Sequence, residues 1–178
     1  MSTLPEPAVL ARLISNVTSS MCSTFFVPGD PLERGESLCG QMALIPLTGK
    51  KSFAVVVSSD TRGGRALGSA FFGCDEKDLT QAMVDDSISE LLNMVAGQIS
   101  AALALDLALG LPRRTTLGEI IAASGSGIEN AALFRSEGKI DLWLWVFETH
   151  AILDRHAPPP STFRSILSRL RPIFSRDP

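Results

Sequence analysis

The sequence predicts one α+β domain in two layers, with long helices packed on one face of a largely antiparallel sheet. Two long segments carry apolar residues at helical spacing, one over residues 7–23 and one that begins near residue 80. Short β-branched segments that can pair as hairpins follow each of them. The order of a long helix and then a hairpin therefore occurs twice along the chain.

The composition narrows the classes of function. The chain has 178 residues, enough to bury a core without disulfides or metal, and its net charge of −3 gives no argument for a nucleic-acid partner. Cys22, Cys39 and Cys74 lack metal-ligand spacing and indicate thiols in a reducing compartment. No signal peptide and no apolar run of membrane-spanning length is recognisable. We therefore expect a cytoplasmic protein with no metal site of its own and no membrane span.

The first half of the chain begins with a helix that has Pro7 in its first turn. Strands over residues 38–47 and 52–58 then form a hairpin. Asp60 or Thr61 is expected to cap a short helix that Gly73 closes. Within it, Gly63 and Gly64 fit neither phosphate-loop nor dinucleotide spacing, so a loop or a weak first helical turn is favoured. The apolar face of the first helix comprises Val9, Leu10, Leu13, Ile14, Val17 and Met21.

The second half begins with a long helix that starts at Asp78 or Thr80 and is expected to reach about Leu109, before the stop at residues 110–112. A third strand is predicted over residues 115–123, followed by strands over 131–135 and 140–148 that a tight turn joins. The last strand is apolar on both faces. It is therefore expected to be central in the sheet or to lie at an interface.

The C-terminal tail is expected to be separate from the domain, which we assign to residues 1–150. Residues 158–160 are a stiff proline spacer, and a basic amphipathic helix is predicted from Ser161 onward. Such a helix can bind a membrane surface or an acidic partner. Packing against the domain or against a second copy is the commoner outcome and is preferred for residues 151–178.

The long second helix has two opposed faces. Asp86, Glu90, Asn93 and Gly97 share one stripe, which is most often just a solvated surface. Glycine inside a helix costs about 1 kcal/mol relative to alanine, so Gly97 suggests the close approach of another backbone or protein. The opposite stripe, which can bury against a sheet, comprises Val84, Ile88, Leu91, Leu92, Val95, Ile99, Ala102 and Leu103.

Residues 86–97 resemble the signature helix of the CheC/CheX/FliY family of chemotaxis phosphatases. That signature is Asp or Ser, three residues, Glu, two residues and Asn, commonly followed by a run similar to Met-Ile-Ala-Gly. Asp86, Glu90 and Asn93 match it, and Met94 to Gly97 continue the match. The first helix has Asn16 but Leu13 where Glu would be needed. A single centre per chain resembles CheX more than CheC.

The resemblance implies a phosphatase that acts on a phosphorylated CheY-like response regulator. Asn93 would orient the hydrolytic water, Glu90 would pair with a lysine of the receiver, and Asp86 and Gly97 would contact the partner. The Mg²⁺ would be supplied by the receiver, so no cofactor of the chain's own is implied. Relatives similar to CheX form dimers by joining sheets edge to edge, and a homodimer is expected.

Two alternatives from other classes of function remain open. One is a non-catalytic module that binds phosphorylated receiver domains or a flagellar-switch component through the same face. The other is a structural dimeric subunit that uses the strand of Trp143 and Trp145. Glu90 and Asn93 favour the enzyme over both.

Overall fold

The computed structural model describes residues 5–30, 40–104, 106–124, 131–136 and 140–149. Helices in this part of the chain are α1 (Pro7–Cys22), α2 (Thr61–Phe72), α3 (Gln81–Leu103) and α4 (Leu117–Ser124), and Glu76–Asp78 form a 3₁₀ turn. The strands are β1 (Phe26–Pro28), β2 (Gln41–Thr48), β3 (Phe53–Ser59), β4 (Ala108–Leu109), β5 (Arg113–Arg114), β6 (Ala131–Ser136) and β7 (Asp141–Glu148).

The strands of the described residues form one antiparallel sheet in the order β1-β6-β7-β3-β2-β4, and β5 also pairs with β2. The strand pair β2–β3 and the strand pair β6–β7 meet at the centre through β3 and β7. This arrangement confirms the predicted α+β class with a largely antiparallel sheet. It also confirms the central position that the apolar faces of the last strand allowed.

The repeat seen in the sequence has a counterpart in the sheet. Each long helix is followed by a short edge strand, with β1 after α1 and β4 after α3. β1 pairs with β6 and β4 pairs with β2, so each short strand borders the strand pair of the other half. The two halves are thereby interlocked, and neither can complete its part of the sheet alone.

The main core lies between the sheet and the helices α1, α2 and α3. Alternate residues of β3 and β7, such as Val55, Val57 and Leu144, point into it together with Ile14 of α1 and Leu91 of α3. In strands, successive side chains point to opposite faces, which accounts for the alternation. The apolar stripe of α3, which includes Leu91, is buried in this core, and its burial holds the helix against the sheet.

The opposite face of the sheet carries a second apolar cluster with Val56, Trp143 and Trp145, to which α4 contributes Ile120. Both tryptophans are only 2% exposed in the single chain. They are therefore not available as the interface of a structural dimer. The burial of both side chains does not support the alternative of a structural subunit that dimerises through this strand.

The strand predicted over residues 115–123 is wrong, because helix α4 occupies Leu117–Ser124. Thr115, Thr116 and Ile121 are β-branched and favoured a strand. However, the Thr116 hydroxyl accepts a hydrogen bond of 3.3 Å from the Glu119 amide, which is a typical N-terminal helix cap. Local capping and the burial of Ile120 therefore outweigh β propensity here.

Helix α3 is shorter than predicted. Thr80 caps its start, as expected, with Oγ1 accepting a hydrogen bond of 3.2 Å from the Met83 amide. The helix ends at Leu103, where Ala104 adopts a positive φ of 50°. Ala108 and Leu109 pair with β2 instead of continuing the helix. Strand pairing at the sheet edge thus ends α3 at Leu103. Apolar periodicity alone had predicted an end six residues later, at Leu109.

The glycines of α2 allow this helix to approach the sheet and α3 closely. Asp60 caps α2 by accepting a hydrogen bond of 2.5 Å from the Gly63 amide, and Gly73 closes it, as predicted. A Cβ on Gly64 would lie 2.1 Å from Gln41 Oε1 of β2 and 3.4 Å from Val84 Cγ1 of α3. The pair Gly63–Gly64 therefore forms a helical first turn that packing explains.

Several expectations fall on residues outside the described ranges. These are the last three residues of the tight turn predicted at residues 136–139, Cys39, and the tail with its proline spacer and amphipathic segment. The proposed division at residue 150 lies at the same limit. In the described residues, no helix is both long enough and apolar enough to cross a membrane.

Candidate functional site

The candidate site lies on the outer face of α3. At 100° per residue, the side chains of Asp86, Glu90, Asn93 and Gly97 fall within an arc of about 60°. Glu90 and Asn93 are one turn apart, about 4.5 Å along the axis, and Asp86 is a further turn back. The structure leaves Asp86, Glu90 and Asn93 exposed and Gly97 half-buried. All four predicted residues therefore share one accessible surface.

The support beneath this face is rigid because the opposite side of α3 is deeply buried. Val84, Ile88, Leu91, Leu92, Val95 and Ile99 are at most 1% exposed. The predicted stripe is thus confirmed as far as Ile99. Beyond it, Leu103 is half-buried against the core, while Ala102 is exposed, contrary to expectation.

The polar side chains of the face take no part in holding the fold together. In the residues that the structure describes, the side chains of Asp86, Glu90 and Asn93 make no hydrogen bond and no ion pair within the chain. Asp85, by contrast, accepts hydrogen bonds of 2.9 Å from both Gln81 Nε2 and Arg114 Nη1. Adjacent aspartates therefore differ in role: Asp85 is a structural group and Asp86 is free for a partner.

Nothing in the described residues requires glycine at position 97. A Cβ added there would meet no atom within 4 Å, and its φ is not positive. Its helix continues for six more residues, to Leu103. Neither a turn nor packing inside the described chain requires the missing side chain.

The first helix offers no second centre. Asn16 is exposed on α1, but Leu13, one turn earlier, is half-buried and packs against the core. An apolar side chain there supplies no carboxylate beside the amide. The face of α3 is thus the one place in the described helices where a glutamate and an asparagine stand exposed at this spacing.

Within the described residues, no group of three or more His, Cys, Asp or Glu side chains is placed to hold a metal ion. What the face offers is a free carboxylate and a free carboxamide on a supported helix. A carboxylate can pair with a cation, and a carboxamide can both donate to and accept from a water molecule.

The fold is that of the CheC/CheX-like chemotaxis proteins. The sequence profile of the family described as "Chemotaxis phosphatase CheX" matches residues 41–131, slightly more than half of the 178 residues. The chain belongs to this family. A search of curated protein sequences found no significant match.

Solved structures share the fold at low sequence identity. CheX from Vibrio vulnificus is 19% identical, with a TM-score of 0.57 over 82% of this chain and 99% of its own. A complex of CheX with CheY, BeF₃ and Mg²⁺ from Borrelia burgdorferi contains a chain that is 18% identical, with a TM-score of 0.57 and coverage of 83% and 100%. The FliM middle domain of Vibrio alginolyticus is 14% identical, with a TM-score of 0.52 and coverage of 78% and 88%. Because the same fold occurs in CheX and FliM, function has to be argued from the residues of the face.

Proposed function

We propose that this protein hydrolyses the aspartyl phosphate of a phosphorylated CheY-like receiver protein. One observation carries the proposal. Glu90 and Asn93 are exposed one turn apart on α3, and neither side chain makes a hydrogen bond or an ion pair with the described residues. Membership of the CheX family and the fold shared with a chain that forms a complex with CheY support a chemotaxis role directed at such a partner.

The reaction asks little of the enzyme because the substrate is already activated. Aspartyl phosphate is an acyl phosphate, and the receiver brings its own Mg²⁺ and its own positive charge. Water attacks the phosphorus, the bond from phosphorus to the acyl oxygen breaks, and the electron pair leaves on the receiver's carboxylate. The missing element is a water molecule held in line with that bond.

Asn93 supplies that element in the proposal. Its amide oxygen can accept a hydrogen bond from the water, and its amide nitrogen can donate to a phosphoryl oxygen. The side chain is exposed and the backbone beneath it is fixed by the buried neighbours Leu92 and Val95. A short, supported side chain of this kind loses little freedom when it positions a water molecule.

Glu90 provides docking instead of chemistry. Its carboxylate, one turn before Asn93, can pair with the ammonium group of a lysine beside the receiver's phosphoryl group. Such a contact sets how deeply Asn93 enters the receiver's site. Asp86, a turn further back on the same arc, extends the contact surface and adds attraction for a cationic rim.

The test measures loss of phosphate from a CheY-like receiver charged with acetyl phosphate and Mg²⁺, with and without this protein. An accelerated release of inorganic phosphate supports the proposal. Tight binding to a beryllofluoride-charged receiver without acceleration would overturn it in favour of the non-catalytic binding module. The absence of both binding and acceleration would remove the receiver as partner.

We also propose that the protein is a cytoplasmic homodimer that joins through an edge of the sheet. Among the described strands, β1 lies at one edge of the sheet, and Phe25 and Val27 beside its buried Phe26 are 63% and 62% exposed. An edge strand presents unpaired backbone groups to a second chain. The other edge is less suited, because β4 and β5 contain two residues each. The site faces of α3 lie on the helix layer, so this assembly leaves both accessible.

A further inference from the structure

We propose that the main chain of the phosphorylated receiver lies directly against α3 at Gly97, which makes Gly97 a determinant of docking. This inference rests on the proposed function and deepens it. It assigns to the partner a contact one helical turn beyond Asn93, toward the C-terminal end of α3 and away from Glu90 along the helix axis. Here the chain offers no side chain at all.

The first argument is that no described residue of the chain explains why position 97 is glycine. Glycine is among the least favourable residues in a helix interior. Gly63 and Gly64 of α2 have close neighbours, since added Cβ atoms would lie 2.4 Å from Ser59 Oγ and 2.1 Å from Gln41 Oε1, respectively. At Gly97 the corresponding Cβ has open space around it and the backbone is ordinary helix. The free protein would accept alanine there and gain stability.

The second argument is position. Gly97 lies about 20° from Asp86, between the directions of Asn93 and Glu90 in the arc of the candidate site. It is four residues after Asn93, which places it about 6 Å further along the axis. A partner that receives the Asn93 side chain must also pass over this point. From Asp86 to Gly97 the contact would span about 16 Å of helix.

The third argument concerns what fits. Where a Cβ is missing, another backbone can approach the helix main chain more closely than at any other residue type. The side chains of Glu90 and Asn93 keep a partner further away on the two preceding turns. The surface therefore steps down toward Gly97. The backbone of a receiver loop can lie in the lower surface at Gly97. A bulky side chain at this position would hold the whole receiver away from Asn93.

The experiment compares Gly97→Ala and Gly97→Leu with the wild-type protein in two independent measurements. Thermal unfolding of the free protein should show both variants at least as stable as wild type, with a rise in Tm of about 2–4 °C for Gly97→Ala. Binding to the beryllofluoride-charged receiver should weaken roughly tenfold for alanine, which corresponds to about 1.4 kcal/mol. Leucine should weaken it further, and phosphate release should fall in parallel.

Gln98→Leu is the matched control, because Gln98 is exposed on the same helix but points about 100° away from Gly97. It should leave binding and phosphate release unchanged. If wild type is active while the Gly97 variants bind and act as wild type does, only the present inference fails. If the variants lose binding because they are destabilised, the inference is also overturned. If the wild-type protein neither binds nor dephosphorylates the receiver, the proposed function fails and this inference with it.

Discussion

Arg114 of β5 donates a hydrogen bond of 2.9 Å from Nη1 to Oδ2 of Asp85 in α3. Asp85 is held on its other oxygen by Gln81. The contact ties the edge of the sheet to the helix beside the start of the candidate site. It also explains why the two consecutive aspartates differ, since Asp86 has no such partner in the described residues.

The Asp85–Arg114 ion pair should contribute little to stability. Arg114 is 69% exposed on its side chain, and exposed ion pairs are worth at most about 1 kcal/mol. Arg114→Ala should therefore lower the free energy of unfolding by less than about 1 kcal/mol, and added salt should reduce the difference from wild type. Urea unfolding at low and high salt measures this.

Arg62→Ala is the matched control for that measurement, because Arg62 is an exposed arginine of α2 that forms no ion pair with the described residues. It should show no salt-dependent difference from wild type. A loss well above 2 kcal/mol for Arg114→Ala would contradict the prediction and show that the pair anchors the sheet edge.

The Arg113–Glu119 pair should make stability depend on pH. Burial raises the pKa of Glu119, but hydrogen bonds from Arg113 and Thr115 and the charge of Arg113 outweigh it, so the pKa lies below its ordinary value of 4.5. A carboxyl with a lowered pKa stabilises the fold above the pKa of the unfolded chain. This contribution is lost as the pH falls from about 4.5 through the lower pKa of the folded state.

The variant Glu119→Gln tests this dependence. Near pH 7 it should be less stable than wild type by about 1 kcal/mol, an order of magnitude typical of a hydrogen bond to a charged group that is partly exposed. On acidification below pH 4.5 the two proteins should converge. Chemical unfolding at several pH values provides the measurement. A difference in stability that stays constant down to about pH 3 would contradict the role given to the Glu119 carboxylate.

Apolar periodicity was sufficient to predict the elements whose burial follows it. The burial of α3 as far as Ile99, the central strand β7 and the capped helix α2 all follow from local pattern and turn chemistry. In these elements the local preference and the tertiary environment agree. The site face was recognisable for the same reason, since a helix buried on one side fixes what points outward on the other.

Tertiary context decided the end of α3, which was wrongly predicted. Residues 108–109 continue the apolar pattern of α3 but pair with β2, and nothing local distinguishes the two outcomes. Helix α4 could have been found from Thr116 and Glu119, whose spacing is that of a capping box. The burial of Trp143 and Trp145 beneath α4 could not have been predicted from the sequence, because it depends on how separate segments pack.

Glu90→Ala should weaken both binding and turnover. The carboxylate makes no hydrogen bond and no ion pair with the described residues, so its removal should leave the fold unchanged. Loss of a charge-assisted contact with the receiver should raise Kd roughly tenfold or more, and the effect should shrink at high salt. Glu6→Ala removes an exposed carboxylate that caps nothing on α1 and serves as the control. Unchanged affinity for Glu90→Ala would place the docking contact elsewhere.

Dimerisation is open to a direct test. Light scattering at tens of micromolar, roughly the range for weak assembly, should give the mass of a dimer. Val27→Lys should shift it toward a monomer, because a charge on an exposed edge strand opposes pairing with a second edge. Leu111→Lys, at an exposed residue beside the opposite edge, should leave the mass unchanged. A monomeric mass for the wild-type protein would contradict the proposed homodimer.

Asn93→Ala should separate chemistry from docking. The amide is the group proposed to orient water, and losing one strong positioning contact costs about 3 kcal/mol, so phosphate release should fall on the order of a hundredfold. Binding to the beryllofluoride-charged receiver should change little, because the docking carboxylate Glu90 remains. Single-turnover phosphate release and a binding titration measure the two effects separately.

Two controls match that substitution. Asn16→Ala removes an exposed helical asparagine from α1, where Leu13 replaces the glutamate, and it should leave activity unchanged. Ser89→Ala, on the flank of α3, removes only a hydrogen bond of 2.9 Å to the Asp85 carbonyl and should do the same. Full activity of Asn93→Ala would end the catalytic assignment and favour the binding module. Equal loss of binding in Asn93→Ala and Glu90→Ala would keep the site but abolish the division of roles, since an amide that only orients water has no reason to hold the receiver.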